Sequence, residues 1–151
     1  MTMDGTRVIP DDSTWMPEAA APGSLQEQCR EILDATLAGA PAAVMACMAR
    51  VDGVAFASAT AASSNLDQQR SSAIVSSLLA LSESFAREAL RSKCLYTTIA
   101  TEHGSIVTVR VPCRTGAYAL CLCCDNSANL AMTLHTAQAT ADALASAVDA
   151  Q

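Results

Sequence analysis

The 151-residue chain has few aromatic side chains, which make up 3% of it, although 51% of its residues are hydrophobic. Much of the hydrophobic content is alanine, so a core of this chain must consist of small side chains and closely approaching elements. Cations are also scarce, since nine Lys and Arg face fifteen Asp and Glu and leave a net charge of −6. Without a run of Lys or Arg interleaved with aromatics, this charge argues against nucleic acid as a partner.

Targeting and nucleotide-binding signals are missing as well. The N-terminus has neither the positive start nor the apolar stretch of a secretion signal. The longest apolar stretch, Leu37 to Ala49, is interrupted by Gly39 and Pro41 and falls short of the roughly 20 apolar residues of a membrane-spanning helix. No glycine-rich run ends in Gly-Lys-Ser or Gly-Lys-Thr, the P-loop signature. We therefore expect a cytoplasmic protein with no membrane span and no GTP site of its own.

The first 23 residues differ in character from the rest. They mix prolines with acidic residues, lack a sustained periodicity and contain Trp15 as their only large aromatic, which predicts a disordered tail over 1–23. A single domain is predicted over 24–151. Its first helix begins at Ser24, which has the spacing of a capping box with Glu27, and ends near Gly39.

Five strands follow from the apolar runs and turn signals. Ala42 to Ala49 predicts a buried strand, and Asp52-Gly53 predicts a tight hairpin turn into a second strand over Val54 to Ser58. Three further strands are expected at 95–101, 106–111 and 117–124, and a terminal helix begins at Leu130. The predicted order is α-β-β-α-β-β-β-α, an α+β fold with a five-stranded, mainly antiparallel sheet and three helices.

A long helix from about Leu66 to Lys93, capped by Ser64 or Asn65, has more apolar surface than one sheet can cover. At 100° per residue its apolar side chains form two neighbouring stripes. The first stripe contains Ile74, Leu78, Leu81 and Phe85, and the second contains Val75, Leu79, Ala86 and Leu90. We expect the helix to pack on its own sheet and also on a second subunit.

Seven cysteines leave three interpretations open. On the last strand Cys121 and Cys123 share one face and Cys124 lies on the other, so two thiols do not complete a tetrahedral zinc site. Buried structural thiols are therefore the main prediction, with no metal, no cofactor and no catalytic residue. The alternatives are a small sensory domain that holds a ligand or metal through its cysteines, and a thiol enzyme with Cys94 or Cys113 as nucleophile.

Four segments together suggest a family. They are Arg50-Val51-Asp52-Gly53-Val54, the Ser/Ala/Leu-rich helix from Ala73 to Leu90, Val109-Arg110-Val111-Pro112, and Asp125 through Leu130. In this order and spacing the chain resembles, over roughly Leu25 to Val148, the Roadblock family of longin-like domains, which is named for a dynein light chain and includes bacterial regulators of Ras-like GTPases.

The resemblance implies a non-enzymatic homodimer that binds a small Ras-like GTPase as a regulator or platform in a signalling pathway. Its dimer would form through the long helix and the third strand, and we place the following residues there: Val75, Leu79, Ala86, Leu90, Tyr96 and Thr98. The residues expected to contact the GTPase lie on the polar arc of the helix: Gln68, Gln69, Arg70, Ser77, Glu83, Ser84, Arg87 and Glu88. Arg70, Arg87 and Arg114 are conceivable arginine fingers, but nothing in the sequence favours one of them.

Overall fold

The computed structural model describes residues 21–61 and 67–151. Its helices are α1 (Leu25–Gly39), α2 (Gln68–Leu90) and α3 (Leu130–Asp149). Its strands are β1 (Ala43–Arg50), β2 (Ala55–Thr60), β3 (Thr97–Thr101), β4 (Gly104–Arg110) and β5 (Tyr118–Asp125). The predicted element order is confirmed. The first 20 residues of the predicted tail, including Trp15, lie outside the described residues.

The five strands form one sheet in the order β2-β1-β5-β4-β3. Every neighbouring pair is antiparallel, and short connections join all of these pairs except β1 and β5. Helices α1 and α3 cover one face of this sheet, and α2 covers the other. The β1–β2 turn contains Gly53 at φ +92°, a conformation that glycine adopts without steric cost.

The two faces of the sheet have separate cores. Leu33, Met48, Leu120 and Leu144 are fully buried between the sheet and the pair α1 and α3. The core beneath α2 is thinner and made of smaller side chains, which are Met45, Cys47, Val75, Leu79, Ala119 and Cys121. Because the side chains under α2 are short, this helix lies close to the strands.

The caps differ from the predicted ones in two places. Ser24 accepts a hydrogen bond from the Glu27 N–H at 3.2 Å, but the reciprocal half of the capping box is not formed, because the Glu27 carboxylate accepts hydrogen bonds from Arg30. Helix α2 begins at Gln68, slightly later than expected, with Asp67 as its cap. The predicted caps, Ser64 and Asn65, and the predicted start at Leu66 lie outside the described residues.

Helix α2 is tied to β4 by one ion pair between side chains. The Arg110 guanidinium donates two hydrogen bonds to the Glu83 carboxylate, at 2.6 and 2.7 Å. These hydrogen bonds lower the pKa of Glu83 although partial burial opposes them, and the charges of Arg110 and Arg87 lower it further. The pair therefore fixes the angle at which the C-terminal half of α2 crosses the sheet.

We predict that Glu83→Gln lowers the free energy of unfolding by about 0.5–1 kcal/mol at neutral pH, since solvent screens a half-exposed pair. The folded pKa of Glu83 lies below its ordinary value of 4.5, so the contribution is complete above that pH and disappears as the pH falls through the lower folded value. Urea unfolding of both proteins at pH 7 and near pH 3 measures this. Glu88→Gln, on the same helix, is the control, and an equal loss at both pH values contradicts the assignment.

Candidate functional site

One flank of α2 is seated on the sheet by short side chains. Ser72, Val75, Ser76 and Leu79 are buried there. The Ser76 hydroxyl donates a hydrogen bond to the Arg50 carbonyl oxygen at 2.6 Å, which satisfies a polar group in the contact. Because this flank of α2 faces the strands, the apolar side chains on the other side of the helix remain outside.

The larger apolar side chains of α2 form an exposed stripe. Ile74, Leu81 and Phe85 are 58%, 69% and 74% exposed, and they lie about a third of a turn from the seated flank. Singly exposed apolar residues are ordinary, but three on one helical stripe form a patch of the kind that marks a protein interaction surface. This patch, which we call the outer stripe, is the first element of the candidate site.

The structure corrects the placement of two predicted interface residues. Val75 and Leu79 are buried against the sheet of their own chain, so their side chains do not reach the free face of α2. Ala86 is half-buried and Leu90 is 79% exposed. The sequence does not distinguish the two stripes, because serines border both, as Ser71 and Ser77 do three residues before and after Ile74. Only the structure shows that the buried serines are Ser72 and Ser76.

The third strand is the second element of the site. Among residues 21–61 and 67–151, β3 pairs only with β4, so in this part of the chain one of its edges has backbone N–H and C=O groups free for another strand. Tyr96, just before this strand, is 41% exposed, and so is Ile99 at 40%. Thr98 is half-buried, because it lies opposite Val107 on the face that carries α1 and α3. Its hydroxyl oxygen is buried without a hydrogen-bond partner.

The residues predicted to contact a GTPase divide into two groups. Gln69 and Glu83 are engaged within the chain: Gln69 bridges the Gly53 carbonyl and the Ala55 N–H, and Glu83 binds Arg110. The remaining six are exposed on α2, and they are Gln68, Arg70, Ser77, Ser84, Arg87 and Glu88. These six side chains thus face solvent, and Gln68 and Arg87 lie nearer to the sheet-facing flank than the other four.

The cysteines pack as the strand alternation predicts. Cys47, Cys121 and Cys123 lie on the face under α2, and Cys124 is in the opposite core. The hydrogen bond with Cys123 lowers the pKa of Cys121. The hydrogen bond with Cys47 and burial have the opposite effect and outweigh it, and they raise that pKa to about 12. The hydrogen bond with Cys121 and burial both raise the pKa of Cys123. These protonated thiols are poor nucleophiles and poor metal ligands.

The two alternative chemistries gain no support from this geometry. Within 21–61 and 67–151, no three His, Cys, Asp or Glu side chains are arranged to hold a metal ion. His103 and His135 are both exposed. Cys94 and Cys113 are half-exposed, and burial raises the pKa of Cys113.

We predict that iodoacetamide labels Cys94 of the native protein first, Cys113 more slowly, and the five remaining thiols least, because only a thiolate that solvent reaches reacts quickly. Mass spectrometry of the digested protein measures the order. Labelling in urea, where all seven cysteines are accessible, is the control. Rapid native labelling of Cys121 or Cys123 contradicts the burial of this cluster.

Solved structures of other proteins share this architecture. No model of a protein family matches the chain, and no curated protein does. Among solved structures, an MglB with a tetrameric arrangement superposes with a TM-score of 0.74 at 20% identity, over 89% of this chain and 98% of that one. The gliding protein MglB of Thermus thermophilus gives 0.74 at 17% identity, over 90% and 99%. A Roadblock/LC7 domain of Streptomyces avermitilis gives 0.69 at 11%, over 79% and 96%.

The chain has the Roadblock fold. The resemblance inferred from the sequence is thereby confirmed at the level of architecture, and the chain spans nearly the whole length of the Roadblock structures that it matches. At these identities a shared fold does not by itself transfer a partner or an activity. In the described part of the chain, no helix is both long enough and apolar enough to cross a membrane.

Proposed function

We propose that this chain is a cytoplasmic, non-enzymatic homodimer that binds a Ras-like small GTPase and regulates it in a signalling pathway. The observation that carries the proposal is the outer stripe on a Roadblock fold, an apolar surface that a single copy leaves in water. The chain has no P-loop of its own, so nucleotide chemistry belongs to the partner.

The first step of the proposal is the dimer. Burying apolar surface stabilises an association by roughly 25 cal/mol per Å². Phe85 is 74% exposed, so its burial removes more apolar surface from water than the burial of either other residue of the outer stripe. A second copy places the same stripe opposite the first, as two-fold symmetry requires. The free edge of β3, the strand that follows α2 in the sequence, offers a second contact for the other copy. One of the similar structures is an MglB with a tetrameric arrangement, which supports self-association in this fold.

We predict that Phe85→Glu converts the protein to a monomer, because a carboxylate in the centre of an apolar interface is buried without a partner. Light scattering after size exclusion measures the molar mass. Phe85 is mostly exposed in a single copy, so its replacement leaves the fold of the subunit intact, which circular dichroism checks.

Met132→Glu on α3 is the matched control, since Met132 is 58% exposed but lies on the opposite layer. It is expected to leave the dimer unchanged. A wild-type protein that is monomeric at all concentrations, or a dimer that survives Phe85→Glu, contradicts this step.

The second step is recognition of the GTPase by the polar arc. Exposed side chains such as Arg70, Ser84 and Glu88 offer charge and hydrogen bonds without a large apolar area, which suits a reversible contact. A regulator of this kind acts by binding one nucleotide state of its partner more tightly than the other. The difference in the two affinities then shifts the partner's equilibrium.

We predict that the purified protein binds the Ras-like GTPase encoded nearest to it more tightly in one nucleotide state than in the other. Titration calorimetry with the GTPase loaded with GDP or with a non-hydrolysable GTP analogue measures the two affinities. Glu88→Lys is expected to weaken the tighter complex about fivefold or more, as reversal of an interface charge does.

Glu31→Lys makes the same charge change on the exposed face of α1, on the other side of the sheet, and is expected to have little effect. Equal affinity for both nucleotide states, or none, argues against GTPase regulation. Loss of binding in both variants alike indicates a general charge effect instead of a contact at α2.

A further inference from the structure

A concave pocket at the C-terminal end of α2 is surrounded by cations. Its walls come from the last turn of α2, from the connection that follows it and from the end of β4, and its volume is about 740 Å³. Arg87, Arg91, Lys93 and Arg110 line it, together with Glu83 and Cys94. Four of the nine cations of a chain with net charge −6 therefore meet at one place.

These charges are not balanced by the residues around them. The single carboxylate in the pocket, that of Glu83, already accepts both hydrogen bonds from Arg110. Arg87, Arg91 and Lys93 form no ion pair with any described residue. Arg87 and Arg91 are four residues apart on one side of the helix, a spacing at which like charges repel. The negative end of the helix dipole favours these two arginines, but Lys93 and Arg110 lie off the helix.

The backbone at Arg91 shapes the pocket. This residue ends α2 in the left-handed region, at φ 50° and ψ 38°, a position that glycine normally occupies. Its N–H donates to the Ala86 and Arg87 carbonyl oxygens, and the Ser92 N–H also reaches Ala86. The reversal returns Lys93 and Cys94 toward Arg87. Strained non-glycine residues of this kind concentrate at binding sites.

We propose that this pocket binds a small anion of the polyphosphate class. The planar guanidinium groups of Arg87 and Arg91 match phosphate oxygens with paired donors, and several adjacent cations suit a ligand with several negative charges. The cations line one concavity whose volume is in the range of small-molecule sites, whereas an acidic peptide requires an extended strip. The ligand is either a soluble polyphosphate or the phosphorylated headgroup of a lipid, since both present the same chemistry.

The site goes beyond the proposed GTPase function and does not depend on it. Arg87 lies about 140° around the helix from the outer stripe, at about 100° per residue, so the helix contact of the proposed dimer does not cover it. The ligand is bound by one chain, and its binding can be measured in the absence of any GTPase. A failure of the GTPase titration therefore leaves this proposal standing, and the reverse also holds.

Arg91→Gly is the decisive variant. Glycine is favoured at the positive φ of this position. The replacement therefore removes one cation, and the unfolding temperature of the variant is expected to equal or exceed that of the wild-type protein. Titration calorimetry with inorganic tripolyphosphate in about 0.15 M salt is the measurement. We expect the wild-type protein to bind and Arg91→Gly and Arg87→Gln each to weaken binding about tenfold or more, as the loss of a charge-assisted hydrogen bond does.

Arg30→Gln on α1 removes the same unit of charge from the opposite layer and is expected to change the affinity less than about twofold. Absence of tripolyphosphate binding, an unchanged affinity in Arg91→Gly, or an equal loss in Arg30→Gln overturns the proposal. So does tighter binding of a poly-aspartate peptide than of tripolyphosphate.

Vesicles then distinguish the two sources of the ligand. Cosedimentation of the wild-type protein, but not of Arg91→Gly, with phosphatidylcholine vesicles that contain a phosphorylated phosphatidylinositol identifies a lipid headgroup. Binding of tripolyphosphate without such cosedimentation identifies a soluble ligand. Both results support a polyphosphate site, because both require the same cations.

Discussion

The close packing of α2 on the sheet determines which side chains of this helix are available to partners. Serine, valine and leucine on one flank of the helix meet alanine and cysteine on the strands, and the Ser76 hydroxyl satisfies the Arg50 carbonyl oxygen inside that contact. Leu81 and Phe85 lie on the other side of the helix and project outward. The surface that we assign to a second copy is thus a direct consequence of which flank of the helix the sheet covers.

The packing of α2 on the sheet also positions the charged side chains at the end of this helix. The ion pair between Glu83 and Arg110 fixes the end of α2 above β4 and uses the one carboxylate available there. The left-handed residue Arg91 then ends the helix and turns the chain back. Cations from three separate segments therefore surround one concavity while acidic residues dominate the chain as a whole. The apolar outer stripe and the basic pocket therefore lie on different sides of one helix.

The order of the elements was predictable because each carries a local signal. Period-two alternation in Ile106 to Val111, the Asp52-Gly53 turn and the 3.6-residue period of α3 act within a few residues, so no distant contact is needed to detect them. The element ends were less predictable. Ser24 caps α1, but Glu27 is taken by Arg30, and such competition between neighbouring side chains is not apparent from spacing alone.

The sequence by itself determined that the long helix has two apolar stripes and more apolar surface than its own sheet can hide. Only the tertiary structure decided which stripe faces the sheet, because both stripes contain leucine and are bordered by serine, and the contacts with the strands fix the rotation of the helix about its axis. It placed Val75 and Leu79 inside and Ile74, Leu81 and Phe85 outside. The same holds for the basic pocket. Arg110 is distant in sequence from Arg87 and Lys93, and only the crossing of α2 over β4 brings their charges together.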